Sequence, residues 1–165
     1  MKCIILSDSH SSWDNIGRAL KKNPDADAVF FLGDGIEHIE RFVERYPDKA
    51  WFFVLGNCDR PCFLRGAFVK KVERVTLAGK RIVLTHGDLY GAKYGLGGLL
   101  GLADEERADI VLFGHTHKPI EHYDAERGVY LFNPGSLEAS WGEGASFGLL
   151  TINDRGEVLF SHGTL

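Results

Sequence analysis

Cysteine is scarce in this chain: Cys3, Cys58 and Cys62 are its only thiols in 165 residues. An odd number cannot all pair within one chain, and a chain of this length needs no staples. A disulfide scaffold is therefore excluded, and a reducing compartment is expected. A long apolar run is missing from the amino terminus, where only four apolar residues, Cys3 to Leu6, precede the return of polar ones. That is far short of a signal segment or of the ~20 residues that cross a bilayer, so a cytoplasmic protein without a membrane partner is expected. An excess of positive charge is missing as well: Lys plus Arg is 19 and Asp plus Glu is 23, a net charge of −4 with His neutral. Such a chain has no general field to hold a polyanion, which excludes broad nucleic-acid binding. Linkers, internal repeats and low-complexity tracts are also lacking. With 44% hydrophobic residues, enough for a substantial core, residues 1–165 read as a single domain.

Short apolar runs occur at 3–6, 28–32, 51–55, 81–85 and 110–113, each ending at a polar residue or Gly. They read as strands buried on both faces. Helical spacing links Trp13, Ile16 and Leu20 after Ser11 and Ser12, either of which could cap a helix. It recurs in Ile36, Ile39, Phe42, Val43 and Tyr46, and again in Leu96, Leu99, Leu100 and Ala103. After Pro119 the texture changes to extended pieces at 128–133, 147–152 and 157–160 separated by turn signals, as in an antiparallel meander. An α/β start and a β-rich end predict an α/β fold of two packed sheets with helices outside.

Polar residues gather where the strands end, the edge at which open α/β sheets place their ligands. Asp8 and His10 follow the first strand, Gly33-Asp34 the second, Gly56-Asn57-Cys58-Asp59 the third, His86-Gly87 the fourth and Gly114-His115-Thr116-His117 the fifth. One such motif is usually a turn. Five in register indicate a site. Asp, Asn and His donors without Cys at ligand spacing suit Mn2+, Fe or Zn2+. Seven of them, Asp8, His10, Asp34, Asn57, His86, His115 and His117, are too many for one tetrahedral ion but suit two ions sharing a bridging carboxylate.

These five blocks resemble the signature of the calcineurin-like metallophosphoesterases, in that family's order. Asn133-Pro134-Gly135-Ser136 further resembles its small bacterial and archaeal phosphodiesterase branch. The resemblance implies a two-sheet β-sandwich flanked by helices. It implies two divalent ions, Mn2+ foremost, with Zn2+, Fe or Ni2+ as alternatives: Asp8, His10 and His117 on the first, Asn57, His86 and His115 on the second, and Asp34 bridging. It also places Asp34, Asn57 and Cys58 at the reaction centre. The implied reaction is hydrolysis of a small phosphodiester by a hydroxide held between the ions, with no covalent enzyme intermediate. In two places the chain departs from the pattern. Cys58 stands where many members have His, and a thiol is a poor cationic donor. Asp88 stands where close relatives carry a second His, so substrate contacts there are expected to differ.

Residues outside the blocks read more simply. His38, His122 and His162 read as packed or solvated, Cys3 as core and Cys62 as structural. The spacing of Gly95-Leu96-Gly97-Gly98 fails as a dinucleotide fingerprint. Lys70, Lys71 and Arg74 read as the solvated face of a strand. Trp141 is an apolar candidate for self-association, so a homo-oligomer is a possible partner arrangement. The alternative function is a protein-binding scaffold like the retromer subunit that resembles these enzymes. Against it stands the ligand set, since no scaffold needs seven metal-type side chains. A metallo-β-lactamase type of site is set aside, because His115-Thr116-His117 runs into Lys118-Pro119 and not into Asp-His.

Overall fold

The computed structural model of the chain describes residues 1–139 and 144–165, which leaves Trp141 outside the described residues. The apolar runs become strands because each has two faces to bury. One sheet has the order β12-β11-β1-β2-β3, built from β1 (Lys2–Leu6), β2 (Ala28–Phe31), β3 (Ala50–Phe53), β11 (Ser146–Ile152) and β12 (Val158–Thr164). The other has the order β6-β7-β8-β10-β9, from β6 (Val72–Leu77), β7 (Lys80–Thr85), β8 (Ile110–Leu112), β9 (Pro119–Asp124) and β10 (Val129–Pro134). A small hairpin, β4 (Phe63–Leu64) with β5 (Ala67–Phe68), lies on the crossing from β3 to β6.

Side chains of period two sort into three apolar layers. Cys3, Ile5, Phe30, Ile82, Leu84, Leu112, Phe132 and Phe160 fill the space between the sheets. Ile4, Leu6, Val29 and Phe31 point the other way, onto α1 (Asp14–Lys22) and α2 (Glu40–Arg45). Val83, Val111 and Leu131 likewise meet Leu99 and Leu102 of α3 (Gly97–Glu106). The expected two-sheet sandwich flanked by helices is therefore observed, with both sheets mixed in strand direction. Among the described residues no helix is long and apolar enough to cross a membrane.

Three details differ from the sequence reading. The C-terminal strands do not form one meander: β9 and β10 close the second sheet, whereas β11 and β12 return to the first by pairing with β1. Each sheet then buries an apolar face that one continuous meander would leave uncovered. The helix expected over 36–46 is divided into a 3-10 turn, Ile36–His38, and α2, because the amides of His38 and Ile39 bond carbonyls three residues back, Gly35 and Ile36, and not four; Asp59 holds the amides of Asp34, Gly35 and Ile36 ahead of the turn. Neither Ser11 nor Ser12 caps α1, which starts one residue after Trp13 without a side-chain cap.

Phe132 is fully buried between the sheets and stacks on Phe160 at 4.4 Å and on His162 at 4.5 Å. Its ring leaves no room for a side chain at Gly148 of β11, where a Cβ would stand 2.4 Å from it. Phe132→Ala should therefore cost about 3–5 kcal/mol of stability, the usual cost of emptying a large aromatic site, read from urea unfolding at constant m-value. A loss under about 1 kcal/mol would mean that the sheets are not held together at this ring.

Candidate metal centre

The carboxyl ends of β1, β2 and β3 meet those of β7 and β8 at one rim, and the polar residues after those strands converge there. Reaching inward forces unusual backbone. Asp8, His10, Asp34, His115 and His117 all have positive φ, between 39° and 66°, a region that side chains other than Gly seldom adopt. Strain concentrated in these residues is what a site tolerates to aim its groups. Gly56 and Gly114 serve closeness, not turning: a Cβ would stand 2.0 Å from Asp34 Oδ1 at Gly56 and 1.9 Å from Ser7 Oγ at Gly114.

Asp8, Asp34 and His86 are buried side by side, with donor atoms all within 4.8 Å of one another. Asp8 Oδ2 accepts hydrogen bonds from Ser7 Oγ at 2.5 Å and from the His115 amide at 3.0 Å. Asp8 Oδ1, equally buried, has no hydrogen bond among the described residues, although His117 Nε2 lies 3.2 Å away and His86 Nε2 3.8 Å away. A buried carboxylate oxygen left without a donor is costly unless something else neutralises it, and a cation would. His10 Nε2 is 3.3 Å from His117 Nε2 and 3.9 Å from Asp34 Oδ2. His86 is set by its Nδ1–H, which donates to the Leu32 carbonyl at 2.7 Å. Its Nε2 is thereby left facing Asn57 Oδ1 at 3.1 Å and Asp34 Oδ2 at 3.4 Å. Nitrogen and oxygen donors in this density fit divalent cations.

Six of the seven expected donors thus face one another. His115 is the outlier. Its ring lies edge-on to His86 at 5.0 Å, and it joins none of the three-residue donor groups found among the described residues. Cys58 does join one, with His10 and Asp34. Burial, the Asp34 carboxylate and nearby negative charge push its thiol pKa up, so it stays protonated near neutrality. The remaining histidines lie elsewhere: His38 packs near Trp13, His122 is exposed on β9, and His162 bonds the Asn133 carbonyl at 2.8 Å.

Sequence reasoning missed the residues that hold the loops. Asp59 accepts four backbone N–H groups, from Asp34, Gly35, Ile36 and Gly56, at 2.7–3.0 Å, and so joins the second and third blocks. The Cys58 amide donates to Asp34 Oδ1 at 2.8 Å. Asn133 Nδ2 holds the Gly114 carbonyl at 2.7 Å, and Ser136 Oγ holds that of Asp8 at 2.9 Å. Their presence in the quoted blocks was a signal, but nothing local showed which backbone each would hold.

Burial pushes Asp34 toward protonation, but hydrogen bonding and charge from His86, with the Cys58 amide, outweigh it and hold the carboxyl well below its usual range. Burial likewise opposes a charged His86, yet Asp34 and Asp8 win and raise its pKa; the Asp8 carboxylate beside His117 raises that of His117. His115 is lowered, by burial first and then by His86.

The pattern matches known proteins. The profile of the calcineurin-like phosphoesterase superfamily domain matches residues 1–155. The probable metallophosphoesterase YsnB of Bacillus subtilis is 33% identical over 164 residues, covering 97% of this chain and 90% of that protein. Phosphodiesterase YfcE of Escherichia coli K12 is 30% identical over 169 residues, covering 91% and 87%. Vacuolar protein sorting 29 of Cryptosporidium parvum shares the fold, with a TM-score of 0.75 at 18% identity over 99% of this chain and 98% of that one.

With chelator present, His86 and His117 hold protons more tightly folded than unfolded. Their contribution is full below about pH 6.5 and fades as the pH rises through the raised values; His115 opposes it as a single group. The Asp34 contribution runs the other way, full above about pH 4 and lost below it. Chelated protein should therefore melt highest between about pH 4 and pH 6.5. Added Mn2+, which competes with those protons, should raise the melting temperature more at pH 8 than at pH 6. Stabilisation by Mn2+ that grows toward acid would contradict this protonation scheme.

Proposed function

The chain belongs to the calcineurin-like phosphoesterase superfamily, and on that premise we propose that it is a single metallophosphoesterase domain hydrolysing small phosphodiesters with two divalent ions. The observation that carries this reading is the buried Asp8 Oδ1, which has no hydrogen bond among the described residues and is surrounded by Asp34, His86 and His117. Asp8, His10 and His117 would hold one ion, Asn57, His86 and His115 the other, with Asp34 shared. When bound, such a pair supplies an acidified water as nucleophile and neutralises charge building on the phosphorus oxygens.

The chain's own groups have distinct tasks. Asp8 and Asp34 provide the negative charge that draws cations to this rim. Leu32 fixes the His86 tautomer, so that Nε2 is the free donor. Asp59 and the Cys58 amide hold the second and third loops against each other, which keeps Asp34 and Asn57 in register. Cys58 puts a thiol where a His could stand, and a thiol offers a departing oxygen neither a strong acid nor a positive charge. Such a site favours leaving groups that depart without a proton. The likeness to vacuolar protein sorting 29 is one of fold, and the assembled donor set favours hydrolysis over a scaffold role.

Metal-stripped protein should be inactive, and Mn2+ should restore hydrolysis of a bis-aryl phosphate. Asp34→Asn should lose at least ~100-fold more activity than His38→Ala, since loss of a supporting partner alone costs ~10–100-fold. Full activity in excess chelator, after verified metal removal, would sink the reading.

Cys58→Ala should keep most of its activity toward aryl diesters. Cys58→His should raise the rate on alkyl esters relative to aryl ones. A loss of ~10³-fold in Cys58→Ala on the aryl substrate, equivalent to about 4 kcal/mol of barrier and with both ions still bound, would give the thiol a direct role.

A further inference from the structure

Lys70, Lys71 and Arg74 do not act as one basic face. Lys70 pairs with Glu73 at 3.2 Å and Arg74 with Glu106, both at the surface. Lys71 points elsewhere. It stands just before β6, on the stretch of chain that crosses from the first sheet to the second. The hydrogen bond from the Leu55 amide to the Lys70 carbonyl, 2.9 Å, sets it beside the third block. The pairing of Val72 with Thr85 sets it beside His86. From there its ammonium donates to the Gly56 carbonyl at 3.0 Å and to Asp88 Oδ2 at 3.3 Å.

Gly56 immediately precedes Asn57, and Asp88 follows His86 by two residues. One side chain therefore ties the loop that carries Asn57 to the loop that carries His86, across the junction of the sheets. The two donors it spans are 3.1 Å apart, Asn57 Oδ1 to His86 Nε2. The Gly56 amide is held by Asp59, and Lys71 holds the following peptide, whose carbonyl belongs to Gly56 and whose amide belongs to Asn57. The lysine side chain is 40% exposed, and ion pairs so exposed add little to stability. The bridge is placed where it controls geometry.

We propose that Lys71, with Asp88 as its anchor, is a positioning residue for the second ion: it sets the spacing of Asn57 and His86. This inference rests on the two-ion reading above. It also gives Asp88 a task in place of the second His of close relatives. A carboxylate there attracts the ammonium by charge as well as by hydrogen bond, which a neutral imidazole would not do.

The test is stepwise binding of Mn2+, followed by calorimetry and by electron paramagnetic resonance, in wild type, Lys71→Met, Lys71→Arg and Asp88→Asn. Wild type should take up two ions per chain, with the spectrum of a coupled pair. Lys71→Met should bind one ion at wild-type affinity and the other ~10–100-fold more weakly, giving the spectrum of an isolated ion at intermediate Mn2+. Its urea midpoint in chelator should be unchanged. Asp88→Asn should weaken the same ion, and Lys71→Arg should restore it in part.

Three results would overturn the proposal: wild-type affinity for both ions in Lys71→Met, equal weakening of both together with a lowered urea midpoint, or a raised KM with metal binding intact. The last would make Lys71 a contact for the substrate phosphate. A wild-type chain that takes up a single ion under all conditions would overturn the two-ion reading, and this inference with it.

Discussion

Two carboxylates, Asp8 and Asp34, are buried together at the junction of two sheets, and the rest of the structure answers to that constraint. Like charges in a poorly solvated space repel, and each must be offset by donors or by a cation. The chain offsets them incompletely. Ser7 and the His115 amide serve one oxygen of Asp8, and the Cys58 amide one of Asp34. The second oxygens face imidazole nitrogens whose protons can be exchanged for metal. Raised His86 and depressed Asp34 pKa values express the same interaction from its two sides.

Holding such a cluster open requires stiffness nearby. The left-handed backbone at five of the seven expected donors is stable because the loops are tied from behind, by Asp59 on four amides, by Asn133 on the Gly114 carbonyl and by Ser136 on the Asp8 carbonyl. The apolar layers below do the rest. β1 and β8 are central strands of the two sheets, packed on both faces, so the residues that follow them start from fixed points.

The departures from the usual signature, Cys58 and Asp88, lie beside the donor set and not within it. Cys58 removes a potential positive charge from one side of the rim. Asp88 adds a negative one on another side and ties Lys71 into the loops. In neither place does the altered residue leave a gap in the donor set.

The sequence by itself determined the class of fold and which side chains stand at the strand ends. Apolar runs of four or five residues ending at Gly or a polar residue are too short for helices and read as buried strands with a rim, and helical spacing between them puts helices outside. The motif at each strand end then carries its chemistry with it, whatever the packing. Tertiary structure alone decided how the C-terminal strands divide between the sheets, since pairing partners far apart in sequence leave no local trace. It decided that Ile36–His38 winds as a 3-10 turn entered from amides that Asp59, more than twenty residues on, holds in place. It also decided the placing of His115, of the Asp59 and Asn133 braces and of the Lys71 bridge. Each of these depends on which backbone amide or carbonyl lies within hydrogen-bond reach, and that reach exists only once two sheets have packed and brought their strand ends together.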